Sequence, residues 1–158
     1  MPDPDPSPAV RPGDPPVDPR GVRFAAAVTT VVLALVLLSG NGWLLAAQAV
    51  VFALGAFAGL RFAPYSVLYR AVVAPRLGPP SAREEAAPVR FSQLVGLVFA
   101  VVGTIGYLSG LTVLGIVATA LALVAALLNA AIGFCLGCEM YALFHRLRHT
   151  DNQQGATA

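Results

Sequence analysis

Four apolar stretches constrain this chain more than any other feature. They run at about 21–39, 43–60, 91–108 and 111–134, and past Arg23 at the edge of the first, none contains a charged side chain. Each is close to the roughly 20 residues that an α-helix needs to cross a hydrocarbon core of about 30 Å. Charged residues make up only 11% of the 158, where a soluble domain carries about 25%. An ordinary soluble globule is thereby excluded, and so is a charge-rich disordered chain. A net charge of +2 is no footprint for nucleic acid, and two cysteines are too few for a disulfide scaffold. The expected fold is all-α: an integral membrane four-helix bundle made of two tandem hairpins, with the lipid bilayer as its main partner.

The connections fit that division. Residues 1–18 are rich in proline and aspartate, cannot bury enough surface to offset their ordering entropy, and are expected to form a disordered tail. They also lack the basic start of a signal peptide. Asp18-Pro19 is a helix-start signal, a capping side chain followed by proline where a missing N–H costs nothing. A four-span domain is expected over residues 19–149. Ser39-Gly40-Asn41-Gly42 and Ser109-Gly110 turn the two hairpins. Residues 61–90 form a polar loop in which Pro64, Pro75, Pro79, Pro80 and Pro88 forbid one continuous helix. Within it, Tyr65 to Val73 suits a short surface helix with Leu68, Tyr69 and Val72 toward lipid and Arg70 toward water. The fourth span is expected to continue as one helix to Arg148, followed by a flexible tail at 150–158.

Arginine sets the orientation. All ten basic residues are arginine: three before or within the start of the first span, five in the loop 61–90, two after the fourth span, and none in the hairpin turns. The positive-inside rule places both termini and the loop in the cytoplasm, in the cytoplasmic (plasma) membrane. Trp43 and Tyr107 then mark the outer interface, and Tyr65, Tyr69 and Tyr141 the inner one.

The two hairpins also repeat. Arg23-Phe24 corresponds to Arg90-Phe91, Ser39-Gly40 to Ser109-Gly110, and Phe62…Tyr69 to Phe134…Tyr141, at offsets of 67, 70 and 72 residues. Both halves hold an even number of spans, so the repeat is parallel, about an axis along the membrane normal. Where the first half has Ala63-Pro64-Tyr65-Ser66, the second has Cys135-Leu136-Gly137-Cys138. If the halves share an origin, chemistry is expected to be concentrated there.

On a continuous helix the two sulfurs would share a face, at a spacing that admits a disulfide, with Glu139 within reach of Cys135 as a proton acceptor. Four readings stay open. Cys135, Cys138 and Glu139 can form a redox dithiol that exchanges with a soluble partner or a small sulfur compound. The cysteines can instead be small apolar packing residues beside Gly133 and Gly137. Cys135, Cys138, His145 and His149 approximate a zinc spacing, although the gap between the pairs is short. Lipidation is the fourth. Gly55-x-x-x-Gly59, Gly106-x-x-x-Gly110 and Gly133-x-x-x-Gly137 are read as close-packing sites, within the bundle or in a homo-oligomer. No ionisable residue lies deep in a span, which argues against a pump or ion channel. Glu84 and Glu85 read as solvated charge.

Several segments together resemble a known family. They are Asp18-Pro19-Arg20-Gly21 with Arg23-Phe24, Pro75-Arg76-Leu77-Gly78-Pro79-Pro80, Pro88-x-Arg90-Phe91, and Asn129-Ala130-Ala131-x-Gly133-Phe134-Cys135-Leu136-Gly137-Cys138-Glu139-Met140-Tyr141. The set resembles the actinobacterial membrane proteins of domain-of-unknown-function family 4395, from about Asp18 to Arg148. The resemblance implies a four-helix membrane protein, associated with thioredoxin-like proteins and rhodanese-type sulfurtransferases. That context favours the dithiol reading, working with a cytoplasmic partner of one of those kinds and with no cofactor. The alternatives are a non-catalytic membrane scaffold with structural cysteines and a carrier for a small sulfur compound.

Overall fold

A computed structural model describes residues 15–80 and 82–155, with side chains as far as Leu147. The expected tails fall mostly outside it, at residues 1–14 and 156–158. The first helix, α1 (Pro19–Ser39), starts where the sequence indicates: the Asp18 carboxylate accepts the Arg20 N–H at 2.9 Å, and proline opens the first turn. Gly40 ends it in the left-handed region. Asn41 then caps α2 (Gly42–Ala53) by accepting the Trp43 and Leu44 N–H groups. A wide π-helical turn, Leu54–Ala58, carries α2 onward to Gly59.

The loop between the hairpins is itself helical, in pieces. A 3-10 turn (Leu60–Phe62) leads to α3 (Pro64–Leu68), a second wide turn (Tyr69–Val73) and α4 (Ala74–Leu77). The second hairpin is α5 (Ala86–Leu108) and α6 (Thr112–Ile132), and the chain ends in α7 (Leu136–Gly155). The third apolar helix thus begins five residues before its apolar stretch, with Pro88 tolerated in its first turn.

The principal packing runs α1 on α6, α6 on α5 and α5 on α2, while α1 and α2 touch only lightly. Leu33, Val36 and Leu45 are fully buried between these helices, with Phe52, Ala100 and Ala122 around them. The outward faces are equally apolar: Val31, Leu35, Val98, Ile105, Val117, Leu121 and Val124 are all exposed. A helix that is apolar all round suits a lipid environment. Three of the helices, α1, α5 and α6, are long and apolar enough to cross a membrane, and Gly42–Ala58 is a shorter apolar helix.

Contacts in one half recur in the other. Phe24 on α1 stacks on Tyr69 at 5.8 Å, and Phe91 on α5 stacks on Tyr141 at 5.8 Å. The two arginines that open the hairpins are exchanged. Arg23 of the first hairpin donates to the Ala130 and Ala131 carbonyls, 3.5 and 3.2 Å away, at the end of α6. Arg90 of the second donates through Nε and Nη2 to the Ala56 carbonyl, at 3.1 and 2.9 Å, in the wide turn that extends α2. Each places a cation on the negative end of the other hairpin's second helix, where unpaired carbonyls collect.

Three expectations are corrected. The fourth span and its extension are not one helix. Gly133 ends α6 at φ 73°, its N–H bonding the Asn129 carbonyl, and α7 starts afresh three residues later. Tyr69 does not face lipid: it is only 4% exposed and donates to the Asp18 carboxylate at 2.8 Å, while Leu68 and Val72 remain exposed as expected. Burial first, and then that bond to Asp18, push the Tyr69 hydroxyl above its ordinary range, so it stays a donor. The spaced glycine pairs are not uniform packing sites either. In each pair one glycine packs and the other turns the chain. Gly55 lies against Gln93, Gly106 against the Gly115 backbone and Gly137 against Ser92. Gly59, Gly110 and Gly133 have positive φ.

Two outcomes follow for thermal unfolding in a neutral detergent. Arg90→Gln loses a part-buried, two-pronged cap and should cost about 1–2 kcal/mol, whereas exposed Arg23→Gln should cost about 1 kcal/mol or less. Equal midpoints for both variants and the unaltered chain would show that the crossed caps contribute nothing. Gly133→Ala should cost about 1 kcal/mol because alanine resists the left-handed region, and Gly133→Asn should cost less.

Candidate functional site

The break at Gly133 builds the site. A helix that ran on through Cys135 would hold both cysteines mid-helix. Instead Cys135 is the residue just before α7, in the capping position. Its sulfur accepts the Cys138 backbone N–H at 3.3 Å, and its carbonyl accepts the Glu139 N–H at 3.0 Å, the first bond of the new helix. Cys135 and Cys138 are joined in a disulfide with Cα atoms 5.2 Å apart, inside the usual range. In the first half Ala63 holds the corresponding place before α3, and Ser66 corresponds to Cys138.

Helix α7 is held by α5. Gly137 lies so close to Ser92 that an added Cβ would stand 2.5 Å from the serine Cβ, and Tyr141 stacks on Phe91 one turn further on. Both cysteines are half-buried. Cys138 packs against Leu60, Ala86 and Val89, joined there by Val17 and Val22. The pair opens into a pocket of about 380 Å³ lined also by Pro88, Val89, Gly133 and Phe134, with Glu84, Glu85 and Glu139 among its walls. The acidic loop is tied down by an antiparallel pair of backbone bonds, Val17 to Glu84 and back, both 2.9 Å.

A second pocket, of about 290 Å³, lies at the corresponding place in the first half. Asp18, Val22, Ser66 and Tyr69 line it, together with Arg61, Arg70 and Arg83, and it shares Val89 with the first. The pockets are neighbours of opposite charge.

Of the residues expected from sequence, Cys135, Cys138 and Glu139 are brought together. The zinc-like set is not tested as a whole, since the side chain of His149 lies outside the described residues. His145 stacks on Tyr141 at 5.8 Å, and no group of three metal-ligating side chains gathers among the described residues. Glu84 and Glu85, expected as solvated charge, are exposed, and they line the same pocket as the cysteines. The repeat carried the signal: Glu85, which caps α5 by position, follows Asp18, which caps α1, at the same 67-residue offset that separates Arg90 from Arg23.

Chemically, the site is a disulfide at a helix N-terminus, open to a small cavity with glutamates in its walls. Such a position favours the thiolate once the bond is opened, because backbone N–H groups and the helix dipole stabilise negative charge there. No curated protein and no solved structure matches the chain. The family described as domain of unknown function (DUF4395) matches residues 17–146, and the chain belongs to that family.

Proposed function

We propose that this chain is a four-span integral protein of the cytoplasmic membrane that exchanges disulfides with a soluble thiol partner through Cys135 and Cys138. The observation that carries the reading is the location of the pair: a disulfide at the start of α7, open to a pocket, with the sulfur of Cys135 accepting a backbone N–H. A purely structural bond needs no cavity beside it. In this reading the disulfide accepts two electrons and two protons from a partner dithiol, which leaves as a disulfide. Cys135 is the thiol whose anion the helix start stabilises; the partner's second thiol resolves the mixed intermediate in this direction, and Cys138, packed on Leu60 and Val89, resolves it when the exchange runs in reverse. Glu139, four residues after Cys135, is the candidate proton acceptor. The partner is a thioredoxin-like protein or a sulfurtransferase, as the family resemblance implies.

The packing of Cys138 against an apolar cluster supports a second reading, in which the disulfide only fastens α7 to the bundle. The two readings differ in redox behaviour. The exchange reading expects alkylation of the pair to toggle in cells with oxidant and reductant, and Cys138→Ser to accumulate a mixed disulfide through Cys135. A pair that never changes state, with full cellular function in the double serine variant, would leave the fastening role.

The membrane arrangement is supported by the apolar outer faces and by the arginines. Arg20, Arg23, Arg61, Arg70, Arg76, Arg83, Arg90 and Arg146 all belong to the end of the molecule away from the hairpin turns. At about 1.5 Å per residue, the 17 residues of Gly42–Ala58 make about 25 Å, slightly short of a bilayer core. A reporter fused to the C-terminus should be active only inside the cell; activity on the outer face would overturn this orientation.

A further inference from the structure

Three carboxylates line the pocket into which the disulfide opens. Glu84 and Glu85 come from the segment before α5, and Glu139 from the first turns of α7; all three are exposed at the mouth of the pocket. Among the described residues no arginine lines this pocket, while Arg61, Arg70 and Arg83 line the neighbouring one across Val89. Arg23 passes near Gly133, its guanidinium held on the carbonyl end of α6. Three carboxylates against that one held guanidinium leave the described rim negative where a partner approaches the disulfide.

We infer that this rim selects the partner by charge: the thiol that opens Cys135–Cys138 is flanked by positive groups, and thiols carrying a further negative charge are turned away. The inference rests on the exchange reading and names its substrate class. The attacking species is a thiolate. It forms a bond to one cysteine sulfur while the Cys135–Cys138 bond breaks, and the electron pair leaves on the other cysteine, which takes up a proton. A second partner thiolate then attacks the mixed disulfide, releasing the partner as a disulfide and the protein as a dithiol. Negative charge is spread along the line of sulfurs in each step. Carboxylates beside that line raise the barrier, and a cation carried in by the partner offsets them. For a protein partner, the expectation is a basic surface around the reactive cysteine, which also speeds encounter.

The field acts on any thiol that reaches the pocket, so small thiols report it. The oxidised full-length protein in non-ionic detergent is treated with cysteamine, 2-mercaptoethanol and mercaptoacetate, each rate being corrected to the thiolate concentration. The Glu84→Gln/Glu85→Gln protein is measured beside it. Glutamine keeps the size of the side chain and the backbone bonds to Val17, so the fold is retained. At low salt the cysteamine-to-mercaptoacetate rate ratio should fall by about fivefold in the variant, and Glu139→Gln alone should lower it by about twofold. About 0.5 M salt should collapse the same ratio in the unaltered protein, since screening then acts within a few ångströms. If the three thiols react but their ratios are the same in protein and variants, selection by the rim is refuted and exchange stands. If no thiol opens the disulfide at any charge, the exchange reading fails first.

Discussion

Helix ends are the constraint on which this structure depends. A helix satisfies its own backbone except for the first N–H groups and the last carbonyls of each run, and hydrocarbon supplies partners for neither. The chain meets that need by exchange. Arg23 finishes α6 and Arg90 finishes α2, so each hairpin supplies the donor that the other requires. The reach of these two side chains draws the arginine-bearing ends together and fixes where the segments after α2 and α6 leave the bundle. Those segments begin at Gly59 and Gly133, both with positive φ, and each leads to a helix whose tyrosine docks on the opening phenylalanine of its own half.

Much of this could be read from the residues. The apolar stretches, the Asp18-Pro19 start and the glycine turns all appear where the sequence places them, because each depends on local chemistry. The repeat was legible through Arg23-Phe24 and Arg90-Phe91, although not what the arginines do, since their targets lie more than 30 residues away along the chain. The continuous fourth helix failed for an instructive reason. The sequence around Gly133 is apolar on both sides and glycine is common in lipid-spanning helices, so hydropathy alone cannot tell a packing glycine from a turning one. Tyr69 was assigned to lipid by amphipathic spacing, but Asp18 supplies an acceptor from 51 residues away.

The candidate site shows the same division. Cys135 and Cys138 were evident by composition, being the only cysteines. Their setting was not, because it depends on the break at Gly133: mid-helix, the Cys135 sulfur would compete with intact backbone bonds, whereas at the start of α7 it accepts one N–H that has no other partner. The acidic rim was hidden by the long separation between Glu84 and Glu139, closed only when Gly137 settles against Ser92.

The crossed arginines have a consequence for how such a protein can vary. A pair of identical hairpins joined by a twofold axis could satisfy its helix ends in the same reciprocal manner, but it would be obliged to present the same side chains in both of its equivalent hollows. Two hairpins in tandem on one polypeptide are released from that obligation. Here one hollow holds Ser66 among arginines and its counterpart holds a disulfide among glutamates, so the two halves share their crossed caps without sharing a chemistry.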